Sequence, residues 1–194
     1  DAGLTGTTPP TNRYQLGSGL RLPESRTMNV GVDQSISQSF RVNATYSYRR
    51  GVGLLRGRNL NPPVAGVRPD LRFANVVDVV GDAASRGHAL NLSATLLLLN
   101  WHRTFFAVNY AIASSETNTT GAFSLPANGD DLSTEWGPTV PRHRVGGSFS
   151  TQPIRNLGVS INVRAQSGTP YNITTGVDSN GDGCLDRCAQ SNGH

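Results

Sequence analysis

Apolar and polar residues alternate along much of this chain. From Phe40 to Arg49 every even position is apolar and every odd one polar. The same period of two recurs at 28–36, 90–98, 106–112, 145–149 and 157–165, broken at a few positions such as Gln34 and Leu97. A period of two predicts extended strands with one face in an apolar medium and the other in a wet one, and helical spacing fits none of these segments better. The connections alternate as well. Short links at Ser37–Gln38, 100–103 and 152–156 separate long polar stretches at 52–71, 115–141 and 167–194. The apolar segment Phe73–Val80 reads as a strand extension that pairs with the start of the strand following Gly87.

The expected fold is therefore all-β: a segment of an antiparallel transmembrane β-barrel with about six spanning strands. Short periplasmic turns and long extracellular loops belong to such barrels. Val42, Ala44, Tyr46, Leu92, Leu96, Val108, Tyr110, Val159, Ile161 and Val163 are expected against lipid. Polar partners including Arg41, Asn43, Arg49, Asn109, Arg164 and Gln166 are expected to line the lumen. Trp101 with Phe105 and Phe106 at one strand end, and Tyr46 with Tyr48 at the other, match aromatic girdles. A soluble β-sandwich also alternates, but it does not call for loops that are long on one side only. Six spanning strands fall short of the eight in the smallest barrels, so residues 1–194 are expected to form part of one outer-membrane barrel domain. A plug, the N-terminal region and the C-terminal strands are expected to lie outside it.

Composition narrows the class further. The 17 basic residues are all Arg, and the net charge is +4. They are dispersed and form no basic stripe, so nucleic acid is not expected as a partner. The mean hydropathy of −0.33 suits a barrel, whose strands place only alternate residues in lipid. No apolar run approaches the ~18 residues of a membrane helix.

Residues 56–63, Arg-Gly-Arg-Asn-Leu-Asn-Pro-Pro, followed by Gly66-Val67-Arg68-Pro69-Asp70, resemble a loop of TonB-dependent receptors of the Oar type. Ser167-Gly168-Thr169-Pro170-Tyr171-Asn172, leading into 178–183, is similar to another recurrent segment of those barrels, and 109–113 to a strand entering a long loop. The resemblance implies a plugged barrel of about 22 strands in the outer membrane, energised through TonB. The implied partners are outer-membrane lipid, the TonB complex contacted through a plug not present in this chain, and an unidentified transported substrate. A passive pore or a surface adhesin on the same architecture, and a soluble carbohydrate-binding sandwich, remain alternatives.

Candidate chemistry is sparse, and no enzyme is expected. His88, His102, His143 and His194 are scattered, with no HExxH motif, GxSxG motif or P-loop. No cofactor is expected beyond a candidate calcium ion. Asp178, Asn180, Asp182 and Asp186 stand at positions 1, 3, 5 and 9 of an EF-hand-like loop, with Gly183 at position 6. Position 12 is Ala189, not the bidentate Glu, and a polar turn is the competing reading. Cys184 and Cys188 sit in the same stretch and are expected to form an extracellular disulfide, in preference to a thiolate metal pair.

Overall fold

A computed structural model describes residues 11–64, 66–129, 131–171 and 176. Its strands are β1 (Thr11–Leu16), β2 (Glu24–Ser35), β3 (Phe40–Asn59), β4 (Phe73–Leu98), β5 (Thr104–Thr117), β6 (Gly137–Pro138), β7 (His143–Ile154) and β8 (Leu157–Gln166). Six of them form an antiparallel meander in the order β2-β3-β4-β5-β7-β8. Two short strands are added beside it: β6 pairs with the end of β5, and β1 runs parallel to the start of β4. The sheet is open, with β2 and β8 at the ends of its path.

The alternation in the sequence becomes rows across the sheet. Register places Val32, Ala44, Leu92, Tyr110, Val145 and Ala165 in one continuous cross-strand row. One residue along, Asp33, Asn43, Ser93, Asn109, Gly146 and Arg164 form the row on the opposite face. A slip of one residue in any strand would mix the two sets. All ten residues expected against lipid fall on the apolar face.

The apolar rows from Phe40 to Tyr48 take about 27 Å along the strand, or about 20 Å of height at a tilt near 40°. Leu98, Leu99 and Trp101 extend the apolar surface at the turn below. The band thus approaches the ~25 Å of outer-membrane barrels.

The turns are tight where the sequence shortens. Only residues 155 and 156 join β7 to β8, with Asn156 at φ 69°, a conformation Asn adopts at little steric cost. Residues 36–39 join β2 to β3, where the Ser37 hydroxyl accepts from the Ser39 and Phe40 amides.

The upper half of the sheet departs from expectation. β3 spans 20 residues and β4 spans 26, against the 9–11 that a tilted strand needs to cross a bilayer. The stretch 52–59, read as loop from the sequence, continues β3 and pairs with β4 as far as Asn59–Val77. Phe73–Val80 is a strand extension, but it is continuous with the strand after Gly87 and does not pair with it. Its partners are the extended β3 on one side and β1 on the other.

β1 takes the place beside β4 that β5 vacates at Thr117. Residues 17–23 then cross to β2 on the far side of β3. The crossing passes so close to the sheet that a Cβ on Gly81 would lie 2.8 Å from the Arg21 backbone. Gly53, at φ +68°, would likewise bring a Cβ to 3.2 Å from the Leu22 carbonyl oxygen. Both positions therefore require glycine. Among the described residues, the buried apolar ones, Val77, Val79 and Ala83, all lie in this upper region of β4. The protein's conventional core is thus a small cap on a sheet whose broad apolar face is exposed.

Candidate functional site

The polar face offers the widest array of hydrogen-bonding groups. Arg41, Asn43, Arg49, Asn109, Arg164 and Gln166 all project from it, because register keeps them in phase across β3, β5, β7 and β8. Asn43 donates through Nδ2 to the Val32 carbonyl at 3.3 Å and accepts from Thr45 Oγ1 at 3.1 Å. Arg41 lies 3.7 Å from Asp33, an exposed pair that contributes little to stability. The Asn109 amide lies over Gly146, where any larger residue would displace it. Arg49, Arg164 and Gln166 are exposed. Such a face, polar and free of a large apolar side chain along its central row, can present donors and acceptors to a hydrated solute.

Above this face, buried polar groups link the segments of the cap by hydrogen bonds. Arg56 donates to both carboxylate oxygens of Asp82, at 2.6 and 2.9 Å, and to the Gly129 carbonyl at 3.3 Å. The hydrogen-bonded Arg56 guanidinium holds the Asp82 carboxyl below the ordinary Asp range, against the opposing effect of partial burial. The Arg56–Gly129 hydrogen bond ties the loop that follows β5 to the β3–β4 extension. Glu135, in the short helix Leu132–Glu135, is buried and accepts from the Ala127 and Asn128 amides at 3.1 and 2.9 Å.

The loop between β3 and β4 closes on Asn61, which is almost fully buried. Its amide donates to the Asp70 and Phe73 carbonyls, each at 2.9 Å, and accepts from the Asp70 amide at 2.8 Å. Asp70 in turn takes a bidentate contact from Arg72, which lowers its pKa to about 2. The Arg- and Asn-rich stretch 56–70 therefore acts, in this structure, as the frame of an ordered loop.

Two tyrosine–histidine pairs went unread in the sequence. Tyr46 Oη lies 2.6 Å from His88 Nδ1, and Tyr110 Oη lies 2.8 Å from His143 Nδ1. Both pairs sit on the apolar face towards its upper edge, and Tyr48 packs 5.0 Å from His88. Each histidine is far from its tyrosine in sequence, so only the strand register could have joined them. Among the described residues no group of three or more His, Cys, Asp or Glu side chains is placed to hold a metal. Asp178, Asn180, Asp182, Asp186, Cys184 and Cys188 lie outside the described residues.

A one-sheet antiparallel meander with membrane-length strands, one apolar face and one polar face has the architecture of a transmembrane β-barrel wall. Comparison with solved structures agrees. The crystal structure of the outer membrane transporter YddB from Escherichia coli matches 93% of this chain with a TM-score of 0.67 at 14% sequence identity. The match covers 26% of the transporter chain, so this chain spans about a quarter of its length. At that identity the likeness establishes the fold. No protein-family model and no curated protein matches the sequence.

Proposed function

We propose that this chain is part of the barrel wall of a TonB-dependent transporter in the bacterial outer membrane. In this reading the apolar face meets lipid and the polar face lines the solute pathway. The cap above β3 and β4 belongs to the surface that first meets the substrate. The chain carries no catalytic role. The observation that supports the reading best is the exposure of the apolar face. Met28, Val30, Val32, Ile161 and Val163 are all more than half exposed. A water-soluble sandwich would pack a second sheet about 10 Å away over such a face. The described residues form one sheet only.

Energised uptake requires a plug inside the barrel and a contact with TonB, both supplied by the full-length protein. The test is conductance in a planar bilayer together with capture by the purified periplasmic domain of TonB. A plugged transporter binds that domain and shows no steady conductance. Steady ohmic conductance without TonB binding would instead establish a passive pore on the same scaffold.

A further inference from the structure

The outward face changes character above the Tyr48–His88 row. The next row upward places Arg26, Arg50 and Arg86 directly opposite one another on β2, β3 and β4. Neighbouring strands lie about 4.8 Å apart, so three cationic stems project side by side within about 10 Å. Like charges directly opposite in a sheet are destabilising. The two outer arginines meet carboxylates: Arg26 pairs with Glu24 at 2.6 Å, and Arg86 with Glu116 at 2.7 Å. Arg86 also lies over the Trp136 ring, 4.6 Å from its centroid. Arg50, in the centre and exposed, has no ion pair among the described residues.

A second feature lies directly below on the same face. Small side chains at Ala44 and Ala94, between the larger Val42, Leu92, Val108 and Tyr110, leave a cavity of about 370 Å³ open to the outside. Along β3, Ala44 is six residues from Arg50, or about 20 Å. An aromatic and imidazole belt separates the two features, as at a membrane–water interface.

We propose that this face binds a phosphate-bearing anionic lipid of the outer leaflet, an inference that rests on the barrel reading. The phosphate sits at Arg50 between Arg26 and Arg86, and one acyl chain occupies the groove at Ala44 and Ala94. The charge of the phosphate relieves the repulsion along the arginine row. The groove supplies an apolar contact that a free anion cannot use.

The test is native mass spectrometry of the full-length protein released from vesicles of phosphatidic acid mixed with phosphatidylcholine. Phosphatidic acid is expected to be retained preferentially. R50Q is expected to weaken retention about fivefold, the effect of one arginine near a charged lipid surface. A94F, which fills the groove and leaves the arginines intact, is expected to weaken it too. Equal retention of the two lipids by wild type, or unchanged retention in R50Q, would overturn the lipid site. Failure of wild-type protein to float with vesicles would overturn the barrel reading on which the site rests.

Discussion

Replacing Leu92 with arginine separates the two faces most sharply. Leu92 lies in the middle apolar row, between Ala44 on β3 and Tyr110 on β5, with two further rows above and two below. An arginine there enters hydrocarbon near mid-depth, too far from either interface for its stem to reach water easily. The expected cost is ~2–4 kcal/mol. At about 1.4 kcal/mol for each factor of ten, this is a shift of roughly 30- to 700-fold in the unfolding equilibrium. Ser93, its neighbour in β4, lies between Asn43 and Asn109 on the opposite face. Arginine at Ser93 is expected to change stability by less than ~0.5 kcal/mol. Guanidinium unfolding of full-length protein in phosphatidylcholine vesicles, followed by tryptophan fluorescence, measures both. Equal costs for L92R and S93R, or the larger cost at Ser93, would refute the assignment of faces.

Other expectations concern the cap. G81A would force a Cβ against the Arg21 backbone, 2.8 Å away, so the crossing segment must shift; a loss of about 1–3 kcal/mol in thermal or chemical unfolding is expected. N61A would strip partners from the Asp70 and Phe73 carbonyls and the Asp70 amide, at about 1–3 kcal/mol for a group left buried. Faster proteolysis within residues 61–73 reports it. The Asp82 carboxyl is held below the ordinary Asp value of 3.8, so its contribution is present above that pH and is lost as pH falls through the folded pKa. D82N is expected to remove this acid sensitivity, measured as amide exchange in the cap as pH falls below 3.8, and to destabilise the cap at neutral pH by leaving the buried Arg56 guanidinium without its carboxylate.

The lower half of the fold was legible because each face keeps one character, apolar or polar. Over 40–49, 90–98 and 106–112 the parity of the apolar residues is almost unbroken, and the structure keeps it. Above the Tyr48–His88 row that regularity lapses. Register shifts at Val52/Leu54 and Leu54/Leu55, beside Gly53, interrupt the alternation of β3, so 52–59 looked like loop. β1 was illegible for another reason: its pairing is parallel, to a strand about sixty residues away, and no local pattern announces such a partner. The polar-face residues were found because alternation alone assigns a face. The Tyr46–His88 and Tyr110–His143 bonds, the Arg56–Asp82 pair and the arginine row all depend on cross-strand register. A single sequence carries that only through the complete set of strand pairings.

The account stands most directly on whether adjacent residues of one strand meet different media. Ile161 and Asn162 of β8 provide the test, since register places Ile161 in the apolar row with Phe149 and Asn162 on the polar face opposite Ser148. A spin label at each position in full-length protein, reconstituted in vesicles, reports access to lipid-soluble oxygen and to a water-soluble nickel chelate. The label at Ile161 is expected to relax with oxygen and resist the chelate, and the label at Asn162 to do the reverse. Equal access at both positions, or the opposite pattern, would contradict the barrel wall.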